Sequence, residues 1–149
     1  IVLLDCLMTF FGSSANDAAF NAYVTDTTDD TNMPWGPYRC ILPGKGTFDG
    51  IWNWDSAFHA AGLARWDTDL AKESILGFLQ FQREDGLFPD VIFSDGRIIN
   101  DYSKPPVFPW AAEIVYRRSN DVEFLKEVYP RFVKNAFCGL IIAPRSRII

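Results

Sequence analysis

Apolar positions along this chain recur mostly on a helical period, and they do so in separate blocks. Residues 15–26, ANDAAFNAYVTD, place Ala18, Ala19, Ala22 and Tyr23 along one side and predict a first helix. Residues 27–50 are rich in Thr, Asp, Gly and Pro and read as a long irregular segment. It holds Trp35, Tyr38, Arg39 and Phe48, which argues for an ordered and functional loop. Asp55 or Ser56 then suits the N-cap of a helix SAFHAAGLARW. A further helix is expected over 68–84, with Leu70, Ala71, Ile75, Phe78, Leu79 and Gln82 on its inner stripe and Asp85-Gly86 ending it.

The period changes once. In GLFPDVIFSDGRII apolar residues bracket Ser94-Asp95-Gly96, and Asp-Gly between such runs predicts a small β-hairpin between helices, not a core sheet. Pro105-Pro106 opens a helix over 106–118, where a proline in the first turn is tolerated. Asp121 caps another, with Leu125, Val128, Tyr129, Phe132, Val133 and Ala136 as its stripe and Pro130 as a point of bending. Helix, short turn, helix, with long loops on alternate connections, is a hairpin-repeat pattern. The fold expected is mainly α.

Length and composition narrow this further. The 149 residues suit one domain, and 48% hydrophobic with 22% charged residues is a globular balance. A net charge of −5 with scattered basic residues leaves no footprint for nucleic acid. No run reaches the length of a membrane span. Cys6, Cys40 and Cys138 form no CxxC pair and have no histidine at metal spacing, so they read as free thiols. No metal or cofactor is expected, and a reducing, cytoplasmic compartment is favoured. The first residues, IVLLDCLMTFFGSSAND, have no initiator Met and no basic n-region, and Asp5 interrupts their apolar run. They read as the interior of a longer chain, and FCGLIIAPRSRII at the other end reads as a cut or out-of-frame terminus.

Two clusters carry candidate chemistry. In GIWNWDSAFHAAG, Trp52, Trp54 and Asp55 precede the only histidine, His59, by a few residues. An indole stacks on the C–H face of a sugar ring, and a carboxylate accepts from two neighbouring hydroxyls. The same residues also suit a helix cap and core packing. Asp55 and His59 are one helical turn apart, which fits a proton relay or a cap contact. The second cluster, NDYSKPPVFPW, packs Asn100, Asp101, Ser103 and Lys104 ahead of a helix, either as binding groups or as a solvated loop. Asp90 is a weaker candidate, and Glu113 suits a paired core carboxylate. Gly44-Lys45-Gly46 is too short for a phosphate loop, and neither GxSxG nor HExxH occurs.

Taken together, WNWDSAFHAAG, FQREDGLFP and SKPPVFPWAAEIVY resemble the catalytic domain of the α/α-toroid glycosidases. The nearest likeness is to glycoside hydrolase family 63 with its mannosylglycerate hydrolase-like members, and more distantly to trehalases. It covers about residues 20–135 and implies a partial (α/α)6 toroid of the six-hairpin glycosidase type, with a small β-hairpin insertion. It also implies an inverting hydrolase for α-linked glucosyl or mannosyl substrates, in which Trp54, Asp55, Ser103 and Lys104 line the terminal-sugar subsite, with Trp52 and His59 beside them. Lys104 stands where these families usually carry Gln, which puts the charge preference of the subsite in question. The family's general acid and base belong to later hairpins, so no catalytic residue is expected here and this stretch alone is expected to be inactive. Rival readings are another carbohydrate-active toroid enzyme, an epimerase or lyase using His59 or Tyr102, and a non-catalytic helical-repeat binding module.

Overall fold

A computed structural model describes residues 24–25, 33–43, 48–102 and 104–142, with side chains placed for 33–43, 48–102 and 104–138. Five short strands and four helices run in the order β1 (Val24–Thr25), β2 (Cys40–Ile41), β3 (Gly50–Trp52), α1 (Asn53–Leu63), α2 (Thr68–Leu79), β4 (Val91–Phe93), β5 (Ile98–Ile99), α3 (Phe108–Ser119) and α4 (Val122–Ile142). The first helix expected from the sequence lies mostly outside the described residues, but its end is corrected. Val24 and Thr25 pair antiparallel with Ile41 and Cys40. Both are β-branched, which favours extended backbone once a partner strand is present.

The hairpin is also more than an insertion. β4 and β5 pair as expected, with Gly96 in the turn at φ +86°. A third strand, β3, joins them on the other side, Trp52 opposite Val91 and Gly50 opposite Phe93. Gly50 is required there, because a Cβ would stand 2.5 Å from the Ile92 carbonyl oxygen. Ile51, Val91 and Ile92 are buried, so this small sheet belongs to the core. A three-residue strand is too short to show alternation, which is why β3 is invisible to periodicity.

α1 starts earlier than expected because β3 runs straight into it. Trp52 takes the cap position with extended backbone and no side-chain cap, and Asp55 falls inside the first turn. A carboxylate there still complements the helix dipole. Ala57, Ala60 and Ala61 are buried and small, which lets α2 and α3 approach α1 closely. α2 is capped by Asp67, whose Oδ1 accepts from the Leu70 N–H at 2.8 Å. Its inner stripe Leu70, Ala71, Ile75, Phe78 and Leu79 is buried as expected. The helix stops at Leu79, and Gln82 lies beyond it. There its amide donates to the Gly86 and Arg131 carbonyl oxygens at 2.9 and 2.8 Å.

α3 begins at Phe108, after the proline pair, and ends with Asn120 in the left-handed region. Phe108 stacks on Phe78 at 5.0 Å between ring centres, joining α3 to α2. Asp121 caps α4 as expected, accepting from the Phe124 N–H at 3.0 Å. Lys72 of α2 reaches the other oxygen of Asp121 at 3.1 Å. α4 continues through Pro130 to Ile142, longer than its apolar stripe suggests. Phe124 and Val128 lie in the core, Leu125 and Phe132 of the expected stripe pack against it, and Tyr129 and Ala136 of that stripe are exposed. Glu113 is likewise exposed and pairs with Arg117 one turn on, not with a core partner.

β2 is tied to the helices by one ion pair. Arg39 gives its Nε and Nη2 to the Glu73 carboxylate at 2.9 and 2.7 Å, and its backbone N–H bonds the same group. These bonds hold the Glu73 carboxyl below the usual range. Beneath them Gly77 lets α2 meet Cys40, since a Cβ at Gly77 would lie 2.5 Å from the Cys40 Sγ. Cys40 and Cys138 are free and buried, and burial raises the Cys40 thiol pKa. Cys6 lies outside the described residues. Among the described residues no helix is long and apolar enough to cross a membrane, and no group of side chains could hold a metal ion.

Candidate functional site

Three segments meet at the start of α1. The first residue of the helix, Asn53, is buried and ties down the loop after the GLFP turn with two bonds. Its backbone N–H donates to the Asp90 carbonyl at 2.9 Å, and its side chain donates to the Pro89 carbonyl at 2.8 Å. Asp90 is thereby fixed beside the first turn of α1, with its side chain only 10% exposed. From the segment before α3, the Lys104 ammonium arrives 3.1 Å from the Asp90 Oδ1. That oxygen has no hydrogen-bond donor, so the ammonium approaches it off the bonding direction.

Around this pair stand aromatic rings. Trp54 is 42% exposed, and the Lys104 Nζ lies 6.0 Å from its ring centre. Tyr102 is exposed and faces the same ammonium at 5.7 Å. Phe58, one turn after Trp54, packs between Trp54 and the half-exposed Trp110 of α3. Asp55 is half-buried here, and burial pushes its carboxyl above the ordinary aspartate range. Its own backbone N–H and Lys104 pull the other way, and Asp90 adds to the rise. A cavity of about 450 Å³ adjoins the group through Asn53 and Lys104 and continues between Phe88, Phe108, Phe132 and Asn135.

The residues singled out from sequence therefore divide. Trp54, Asp55 and Lys104 come together. Ser103 lies outside the described residues. Trp52 turns to the sheet, with its ring edge-on to Phe48 and Phe93 at 5.5 and 5.6 Å. His59 sits deeper, its Nδ1 buried without a hydrogen-bond partner. Burial alone lowers its pKa to about 4, so it is neutral and has no proton link to Asp55. Asn100 and Asp101 are exposed. Asp90, weak by sequence, belongs to the centre of the group. The signal for it was its position just past the GLFP turn, which sequence spacing alone could not align with Asn53.

Comparisons with known proteins place the chain in a family. Residues 49–136 match the model of the mannosylglycerate hydrolase MGH1-like glycoside hydrolase domain. The chain belongs to that family. It is similar to two relatives from Selaginella moellendorffii, the mannosylglycerate hydrolases MGH1 and MGH2, each 38% identical over 52 residues. Those segments cover 35% of this chain and 11% of each relative. Its fold is similar to that of a family 63 mannosylglycerate hydrolase from Thermus thermophilus, solved in complex with Tris and D-glycerate. That likeness has a TM-score of 0.61 at 22% identity and covers 66% of this chain and 28% of the other. This chain thus spans a small part of the length of the proteins it matches.

Proposed function

We propose that the protein carrying this chain is an inverting glycoside hydrolase of α-linked glucosyl or mannosyl substrates, mannosylglycerate among them. Its helices are the first hairpins of an (α/α)6 toroid, and this stretch forms part of the wall that holds the terminal sugar. The observation that supports it is an exposed indole, Trp54, next to a half-buried carboxylate, Asp55, at a helix start. Such a pair offers a ring face for C–H stacking and acceptors for adjacent hydroxyls. Membership of the hydrolase family supports the same reading.

Hydrolysis with inversion needs a carboxylic acid at the leaving oxygen and a carboxylate that activates water, about 6.5–9.5 Å apart. In this reading both come from residues outside this stretch, which binds and orients. Trp54 stacks under the ring and excludes water from it. Asp55 accepts from the hydroxyls, and Lys104 donates beside them.

The test is made on the full-length protein. W54A and D55N are each expected to weaken binding of an α-glycoside about 10- to 100-fold, as loss of one stacking face or one charged hydrogen bond requires. Proton NMR of freshly released sugar should show the β-anomer first. Initial release of the α-anomer would refute inversion, and unchanged binding in both variants would remove this face from the sugar site.

A further inference from the structure

Gln82, just past the end of α2, reaches across to α4 in a contact that the sugar-site reading does not use. Its amide donates to the Gly86 carbonyl at 2.9 Å and to the Arg131 carbonyl of α4 at 2.8 Å. Asn135, one turn beyond Arg131 on the same side of α4, donates its own amide to that Gly86 carbonyl at 3.0 Å. Both acceptor positions of one carbonyl are thus filled, from two different elements. The Arg131 guanidinium adds a bond to the carbonyl of Leu79, the last residue of α2, at 3.0 Å. Gly86 itself is buried at φ +94°, and a Cβ there would stand 2.7 Å from the Lys134 carbonyl oxygen. The turn therefore rests directly on the α4 backbone.

Such bonds would tie α2 to α4 wherever they fell. Here they fall just ahead of the loop's other anchor, the Pro89 and Asp90 carbonyls that take the two bonds of Asn53. Only Leu87 and Phe88 separate Gly86 from Pro89, and little among them can give. The Phe88 ring packs against Phe78 and Phe108, at 6.5 and 6.0 Å between ring centres. Pro89 is buried, and its ring fixes φ. A displacement of Gly86 is passed on to Asp90 and to the first turn of α1, where Trp54 and Asp55 stand.

We infer that Asn135 and Gln82 are positioning residues: through the Gly86 carbonyl, α4 sets where the Asp90 loop stands, and with it the Trp54–Asp55 face. Neither side chain has to touch the substrate. The face is built on α1 and located by α4. The inference rests on the reading of that face as a sugar site.

Steady-state hydrolysis of mannosylglycerate by the full-length protein tests this, with N135L and Q82M, which remove the amides and keep the bulk. Each is expected to raise KM about three- to tenfold, the scale of one lost hydrogen bond, with kcat within about twofold. A purely structural clamp does the reverse: fewer folded molecules lower the apparent kcat and leave KM where it was. That result, or no change in either constant, overturns the inference. Asn135 also lines the cavity beside Lys104, whereas Gln82 is not among its lining residues, so Q82M separates positioning from contact. KM raised by N135L alone would make Asn135 a direct contact of the substrate and would likewise overturn the inference. Q82E, of the same shape but without the donor, takes the place of Q82M if that variant fails to fold. W54A and D55N are measured alongside. If both leave KM unchanged, the sugar-site reading falls and this inference with it. If they raise KM and neither N135L nor Q82M does, the inference falls alone.

Discussion

The imidazole of His59 and the carboxylate of Asp55 stand one helical turn apart, yet burial acts on them in opposite electrical senses. Each is driven towards its neutral form, which lowers the histidine pKa and raises that of the aspartate. For His59 this has a consequence for stability. Its pKa is near 6.5 in the unfolded chain and about 4 in the fold, so between those values the unfolded state binds more protons. Stability from this residue is complete above pH 6.5 and is lost as pH falls towards 4, by up to about 3 kcal/mol. Denaturant unfolding of the full-length protein at several pH values should show this slope, and His59→Gln should flatten it. An unchanged slope in the variant would place the acid sensitivity elsewhere.

At the scale of elements, the joint between α2 and α4 depends on one side chain with two partners. Asp121 caps α4 through the Phe124 N–H and receives Lys72 from α2 on its other oxygen. These contacts hold its carboxyl below the usual aspartate range, the cap bond being the larger cause. Asp121→Ala is expected to cost about 1–2 kcal/mol, mainly from the lost cap. A double-mutant cycle with Lys72→Met should return a coupling under about 1 kcal/mol, since an ion pair at the rim of the fold, still reached by solvent, contributes little. A larger coupling would make the pair, not the cap, the principal tie. The cap of α4 and the buried stripe of α2 were legible in the sequence because each is a local pattern. The strand β3 and the true start of α1 were not, because Gly50–Trp52 is fixed by pairing with residues about forty positions away. The site divides in the same way. Trp54, Asp55 and Lys104 were legible through linked motifs, whereas the central place of Asp90 depends on the bonds from Asn53. Helical spacing left the pairing of His59 with Asp55 open, and the burial of the His59 Nδ1 without a partner could not be read from that spacing.

At the scale of the whole molecule, the described residues leave several large apolar side chains in solvent. Trp66, Tyr129 and Phe137 are exposed, and Trp110 is half-exposed. The chain covers 28% of the Thermus protein to whose fold it is similar, and exposed apolar rings of this size favour association. Residues 1–149 expressed alone are therefore expected to self-associate at micromolar concentration, as read by sedimentation velocity. A stable monomer would show that these rings need no cover. Asn53 has a consequence at this scale as well. Its two bonds fasten the beginning of α1 to the loop of Asp90, so the indole platform and the lysine–carboxylate pair share one anchor. In the proposed reading of this face as part of a sugar site, it behaves as an anvil: it keeps its shape, and any closing falls to the part that strikes against it.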